Sequence, residues 1–146
     1  MNASIVEFIE NQTVATICCV DETGSPYCFN SFYSFDSNKS CLYIKSSAIG
    51  THHGPIIQKN PDIAGTIVMD ELHKIQVKGI QFTGKITKND LFNVAAAMHY
   101  HTRHPMAMAV PGELWTIQMQ SVKYTDNSMG FGSKVHWEAE HKEDES

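Results

Sequence analysis

The sequence lacks the features that would assign it to a membrane, a secretion route or nucleic acid. No apolar run approaches the ~18 residues of a membrane-spanning helix, and no basic segment followed by an apolar stretch suggests a secretion signal. Lys and Arg number 11 against 16 Asp and Glu in 146 residues, a net charge of −5, whereas general nucleic-acid binders usually carry a basic surface. We therefore expect a cytoplasmic protein that binds neither membranes nor nucleic acids.

The spacing of the four cysteines points to no metal or redox motif. Cys18, Cys19, Cys28 and Cys41 form neither a metal-binding pattern nor a C-x-x-C pair. We interpret them as four buried or half-buried thiols in a reducing cytosol.

The composition is that of a folded globular protein. Hydrophobic residues make up 42% of the chain and charged residues 18%, which is too apolar for a disordered chain. The length suits one domain with a real core. We expect this domain to cover residues 1–137, followed by a solvated acidic tail over residues 138–146.

Apolar segments separated by turn residues predict six strands. The first three should form a meander, with Pro26 opening the second, and Gly84 should permit sharp coiling of the fifth. The predicted strands are 13–20, 27–35, 41–46, 62–69, 75–86 and 114–124. With helices after the third and fifth strands, this order predicts a mainly β fold with flanking helices, a six-stranded antiparallel barrel that is closed or split.

Helical periodicity predicts three helices around these strands. The first is short, with a capping box from Ser4 to Glu7 and a buried stripe of Ile5, Phe8 and Ile9. The second runs from a Thr51 cap to about Lys59.

The third helix starts at residues 89–90 and ends at Pro105. Its predicted buried stripe is Leu91, Val94, Ala95 and Met98. His99 and His101 point to nearly opposite sides of such a helix, so a polar helix end is favoured over a metal site.

Serine, threonine and histidine are concentrated at residues 46–53, between the third strand and the second helix. Hydroxyls and backbone amides at a helix start can bind a phosphate. From residue types alone, an ordinary strand-to-helix loop capped by Thr51 is the commoner explanation.

Several motifs, taken together in their order, resemble the FMN-binding split-barrel superfamily typified by pyridoxamine 5′-phosphate oxidase, and within it a small uncharacterised bacterial branch. The resemblance covers most of the domain. The motifs lie at residues 21–27, 42–47, 60–61, 77–84, 115–117, 123–127 and 130–132, with Lys134 and Trp137.

The resemblance implies a homodimer with FMN at its interface and assigns roles to individual positions. The isoalloxazine ring would lie against Phe29, Asn30 and Ser31. The ribityl chain and phosphate would lie near Lys45, Ser46 and Ser47, with Thr51, His52 and His53 on the phosphate. Gln81 would face the polar edge of the flavin, and Trp115 with Phe131 would come from the partner subunit.

Each assignment has a simpler alternative. Gln81 suits an exposed strand face, Lys45 a solvated strand residue, and Trp115 a core or interface aromatic. At His52 the resemblance leads one to expect Arg or Lys, which hold a phosphate better than a partly charged histidine.

The expected function is an FMN-dependent oxidoreductase acting on a small-molecule substrate or electron donor. Pyridoxamine phosphate is disfavoured as the substrate, because no second basic cluster is present to bind its phosphate. The alternatives are a non-catalytic flavin or haem carrier on the same fold and, third, a dimeric interaction module without a cofactor.

Overall fold

A computed structural model describes residues 1–72, 76–127 and 133–140. The helices are α1 Ala3–Asn11, α2 His53–Lys59, α3 Val94–Arg103 and a 3-10 helix Pro105–Ala109. The strands are β1 Val14–Val20, β2 Pro26–Asp36, β3 Cys41–Ser46, β4 Asp62–Val68, β5 Lys78–Lys88, β6 Glu113–Asp126 and β7 Ser133–Glu138. Within the described ranges, no helix has both the length and the apolar character to cross a membrane.

Six antiparallel strands form a barrel, as the sequence predicts. The strand order is β3-β2-β1-β4-β5-β6, and pairing of β3 with β6 closes the ring. The first half of β6 pairs with β3, from Ser46↔Glu113 to Cys41↔Gln118, and its second half pairs with β7. The 14-residue length of β6 lets one strand both close the barrel and carry β7 beyond it.

The predicted coiling at Gly84 is confirmed by an irregularity in the β5–β6 ladder. The register shifts between Thr83 and Gly84. A Cβ at Gly84 would lie 2.6 Å from the Gln118 carbonyl oxygen, so glycine allows the two strands to approach closely at this bend.

The core fills the barrel, and α1 packs against it. Ile5, Phe8 and Ile9 are all buried, which confirms the predicted stripe of α1. The cap differs from the prediction: Asn2 is the N-cap residue, and its side-chain oxygen accepts a hydrogen bond from the Ser4 amide at 2.8 Å.

The predicted buried stripe of α3 is wrong. Leu91, Val94 and Met98 are exposed, as is Ala95, whereas Ala96 and Tyr100 are buried. The helix starts only at Val94, because the Asn93 side chain accepts a hydrogen bond from the Ala96 amide. Packing of Ala96 and Tyr100 on Cys41 and Tyr43 of β3 then decides which face is covered.

The cysteine prediction is wrong at one position. Cys19 and Cys41 are buried and Cys18 is half-buried, but Cys28 is exposed. All four thiols are free. The acidic tail is described only as far as residue 140, and its remaining residues lie outside the described ranges, as does Phe131.

Candidate functional site

The loop from Ser46 to His53 satisfies many of its own polar groups. Thr51 Oγ1 donates to the Ser47 carbonyl oxygen at 2.7 Å and accepts from the Gly54 amide at 3.1 Å. The N-cap residue of α2 is His52, one position after the predicted cap, but the Thr51 hydroxyl still accepts from the first turn of the helix. The Ser47 hydroxyl donates to the Ile49 carbonyl oxygen. These contacts use polar groups of the loop that would otherwise be free to bind a ligand.

His53 lies inside the wall of the barrel. Its ring stacks on Phe29, with centroids 3.6 Å apart and planes 6° apart, and its Nε2 lies 2.6 Å from Ser46 Oγ. Burial lowers the pKa of His53, and the charge of His52 lowers it further. The 9% exposed imidazole contacts both Ser46 and Phe29 and so links β2 to β3.

Trp115 supports this wall from the core. It is 1% exposed, and its indole N–H donates to the Ser46 carbonyl oxygen at 2.9 Å. The structure thus agrees with the core alternative for Trp115. A residue so deeply enclosed acts on a ligand only through Ser46.

His52 lies at the loop surface, where it is exposed and in ring contact with Tyr27, at a centroid distance of 4.5 Å. A carboxylate also reaches the loop: Glu113 Oε2 accepts from the Ala48 amide at 2.9 Å. One backbone N–H of the loop therefore already binds an anionic group supplied by β6.

A groove beside the loop brings three predicted residues together. It has a volume of about 690 Å³ and lies between β2, β3 and the α3 segment. Asn30, Ser31 and Lys45 line it, together with the apolar side chains of Phe32 and Met106. Arg103 and His104 complete its polar lining, and no carboxylate lines it among the residues that the structure describes.

Lys45 links β3 to the segment that covers the groove. Its Nζ donates to the Ala107 carbonyl oxygen at 2.8 Å and lies 3.1 Å from His101 Nε2. Because an ammonium has no lone pair, His101 must accept this bond as a neutral ring. Burial and the Lys45 charge both lower the pKa of His101, in that order.

The histidines at the C-terminal end of α3 contact different parts of the barrel and do not form a cluster. His99 Nδ1 lies 2.9 Å from Ser34 Oγ, and His104 Nε2 donates to the Tyr33 carbonyl oxygen at 2.6 Å. No cluster of three or more potential metal ligands occurs within the described ranges.

Gln81 lies away from the groove. It is exposed on β5 and lines a different surface cavity, of about 460 Å³, with Lys123. The strand order β2-β1-β4-β5 puts three strand spacings, about 14 Å, between Asn30 and Gln81. Within one chain the two side chains do not share a wall.

The structure thus gathers the predicted residues into two groups and leaves Gln81 apart from both. Phe29, Ser46 and His53 form the barrel wall, whereas Asn30, Ser31 and Lys45 line the groove. Sequence reasoning missed the contribution of Phe32, Arg103, His104 and Met106. The available signal was the histidine-rich stretch followed by a proline and methionines, which resembled a helix end.

The chain is similar to curated bacterial proteins over nearly its whole length. It is 36% identical over 134 residues to UPF0306 protein YE0465 of Yersinia enterocolitica, covering 91% of this chain and 90% of that protein. It is 35% identical over 137 residues to UPF0306 protein plu4501 of Photorhabdus laumondii, covering 92% and 93%. No protein-family model matches the chain.

Solved structures share the fold at low sequence identity. A heme binding protein from Mycobacterium smegmatis superposes with a TM-score of 0.72 at 16% identity, covering 88% of this chain and 53% of that one. A FAD-binding protein from Mesorhizobium loti gives 0.69 at 14%, covering 85% and 94%. A Clostridium acetobutylicum protein of the pyridoxinephosphate oxidase family gives 0.66 at 11%, covering 92% of each.

Proposed function

This chain belongs to the UPF0306 family and has the split-barrel fold of pyridoxamine phosphate oxidase-like proteins, and from that premise we propose that it is an FMN-binding flavoprotein of the cytoplasm. It would act as a homodimer with a flavin at each interfacial site. The observation that carries this proposal is the groove, which collects Asn30, Ser31 and Lys45 beside the hydroxyl-rich loop.

The volume and the lining of the groove support a flavin as its ligand. Its 690 Å³ lies within the range of small-molecule sites. Phe32 and Met106 offer apolar contact, while Lys45 and Arg103 favour an anionic ligand in a chain whose net charge is −5. The Mesorhizobium loti protein with this fold is itself described as FAD-binding.

The phosphate end would use the loop between Ser46 and His52. His52 is exposed there, and the Ala48 amide would have to exchange the Glu113 carboxylate for a phosphate oxygen. His53 would hold Ser46 and Phe29 in place as a neutral ring.

The proposed activity is an oxidoreductase in which a bound flavin supplies the electron transfer. Asn30 and Ser31 would orient the ring, and the segment at Met106 would exclude water from one side of it. Gln81 would reach a flavin only from the second subunit, since it lies on another wall of its own chain.

The test is an FMN titration of the full chain, followed by visible absorbance and by light scattering of the complex. We expect saturable binding at micromolar concentrations or tighter, worth about −8 kcal/mol, and a particle of twice the chain mass of 16.3 kDa. Absence of saturable flavin binding would overturn the proposal.

His52→Arg tests whether residue 52 contacts the phosphate, because a guanidinium can hold a phosphate with two hydrogen bonds. We expect FMN to bind roughly tenfold more tightly. Val68→Arg is the matched control, since it adds the same charge at an exposed position of β4. An equal gain in both variants would mean that His52 has no specific contact with the phosphate.

Haem binding is the second candidate, and the apolar side chains of the groove beside two cations favour it. Phe32 and Met106 would pack on a porphyrin, and Lys45 and Arg103 would pair with its carboxylates. The Mycobacterium smegmatis protein of this fold is described as heme binding. A Soret band on haem titration without flavin affinity would select this function, and affinity for neither ligand would select an interaction module.

A further inference from the structure

Two cysteines that are ten positions apart in the chain face each other on neighbouring strands. Cys18 of β1 is paired directly with Cys28 of β2. We propose that these two thiols form a reversible cross-strand disulfide, a redox modification site on the outer face of the barrel. The inference stands independently of flavin binding.

The hydrogen-bond pattern of the ladder gives the spacing of the pair. The Tyr33 amide donates to the Thr13 carbonyl oxygen at one end of the ladder, and the Asp21 amide donates to the Ser25 carbonyl oxygen at the other. Since hydrogen-bonded pairs alternate along antiparallel strands, Cys18 and Cys28 occupy a non-hydrogen-bonded pair. Their Cα atoms are then about 4.5 Å apart, within the range of about 4.4–6.8 Å that disulfides span.

Exposure distinguishes this pair from the other two cysteines. Cys28 is exposed, and Cys18 is half-buried at the edge of a surface cavity. Cys19 lies on the inner face of β1 at 0% exposure, with its thiol donating to the Tyr27 carbonyl oxygen, and Cys41 is 2% exposed. A soluble oxidant therefore reaches the pair and not the buried thiols.

The two thiols already interact, which assigns an order to the reaction. The pKa of Cys18 is raised to about 11, first by its hydrogen bond with Cys28 and then by burial. Because Cys28 is exposed and Cys18 is half-buried, Cys28 is the sulfur that a dissolved disulfide reaches first.

Glutathione disulfide is a suitable oxidant for a complete reaction. The Cys28 thiolate attacks one sulfur of glutathione disulfide, and the first glutathione leaves as a thiolate. The Cys18 sulfur then attacks Cys28 and displaces the second glutathione. The protein gives up two thiol protons and two electrons, and two glutathione thiols are formed.

The bond would form next to the candidate site. Cys28 is adjacent to Phe29, which stacks on His53, and Asn30 of the groove lies on the same face two residues further along β2. Oxidation would link β1 covalently to β2 at this point. The disulfide and the candidate ligand site would then both depend on the position of β2.

The experiment is equilibration of the reduced full chain with mixtures of glutathione disulfide and glutathione, followed by thiol blocking and mass spectrometry. We expect intact oxidised protein to lose two hydrogen atoms and to keep two of its four thiols. Cleavage after Glu22 separates Cys18 and Cys19 from Cys28, so the linked peptides and their fragment ions identify the bond. A dithiol reductant should restore four thiols.

Cys18→Ser and Cys19→Ser form a matched pair, since they make the same change one residue apart on opposite faces of β1. We expect the disulfide to be lost in Cys18→Ser and kept in Cys19→Ser. If Cys19→Ser does not fold, fragment ions of the wild-type linked peptide still assign the bond. A Cys19–Cys28 bond, a link between two chains, or a mixed disulfide at Cys28 that never closes would overturn the proposal.

Discussion

The two segments that leave the barrel beside the groove are held in contrasting ways. The loop from Ser46 to His53 is fixed by hydrogen bonds within itself and by a buried ring. The segment from Asn89 to Gly112 is attached by the packing of Ala96 and Tyr100 on β3 and by scattered polar contacts, such as those of Lys45. Among the described residues it also carries seven of the fifteen exposed large hydrophobic side chains.

This difference indicates which kind of contact each segment is suited to make. A loop whose groups are already paired presents a preformed surface to a ligand. Contiguous exposed apolar side chains are typical of a surface that packs against another molecule. We therefore expect a second subunit or a ligand to contact Leu91 and Phe92, which are 95% and 89% exposed.

Gly54→Ala should destabilise the loop from Ser46 to His53 and have the largest effect of the substitutions described below. A Cβ at this position would lie 2.4 Å from the Ala48 carbonyl oxygen, so the backbone of the loop or of α2 must shift. Although alanine favours a helix by about 1 kcal/mol, we expect a net loss of about 2–3 kcal/mol in the free energy of unfolding. Chemical denaturation measures it.

Gly79→Ala is the control for this variant, because its Cβ would make an ordinary contact at 3.6 Å with the Ile67 carbonyl oxygen. Equal stability losses in the two variants would mean that the close approach at Gly54 is not the cause.

Lys45→Met should loosen the second segment. It removes the hydrogen bonds to Ala107 and His101 but keeps most of the aliphatic stem. We expect a loss of about 1–2 kcal/mol and faster amide hydrogen exchange at residues 105–109, with exchange in the loop unchanged. Lys59→Met breaks an exposed ion pair with Glu22. It should change neither the free energy of unfolding nor hydrogen exchange at residues 105–109.

Acid should weaken the loop through His53. Its pKa in the folded protein lies below the ordinary 6.5, because of burial and the His52 charge, so the unfolded chain binds more protons below pH 6.5. Stability is then complete above about pH 6.5 and falls as the pH drops through the folded pKa, by about 1.4 kcal/mol for each unit of pKa difference. Unfolding curves from pH 8 to 5 measure this.

His53→Asn should flatten that pH dependence, leaving the part with the same sign that comes from His101. His52→Asn should flatten it only in part, because it removes a charge that helps to lower the pKa of His53. An unchanged slope in His53→Asn would show that the pKa of the buried imidazole does not differ between the folded and unfolded states.

Phe92→Ser should have the smallest effect on folding. At 89% exposure the side chain has little contact to lose, so we expect the free energy of unfolding of the single chain to change by less than about 0.5 kcal/mol. A weaker homodimer, measured by sedimentation, would identify the segment as the interface. A loss above about 1 kcal/mol would contradict the absence of packing around Phe92.

Local patterns predicted most of the fold. Alternating and β-branched residues between turn residues located all six barrel strands, and β3 matches its prediction of residues 41–46. The stripe of Ile5, Phe8 and Ile9 was equally readable, because each feature depends on residues close together in the chain.

The sequence suggested candidate site residues but not how they are arranged. Residue types and resemblance selected both His52 and His53 as phosphate contacts. The structure leaves His52 at the surface and encloses His53 between Phe29 and Ser46. That outcome depends on β2 and β3 meeting α2, which adjacent histidines in a sequence do not reveal.

The sequence by itself determined the order of strands along the chain, the meander and the capped loop after β3. Tertiary structure alone decided that β3 pairs with β6, that α3 covers β3 with Ala96 and Tyr100, and that Cys18 faces Cys28. The physical reason is range. Dihedral preference and periodicity act over a few residues, whereas burial and strand pairing depend on contacts between residues that are tens of positions apart.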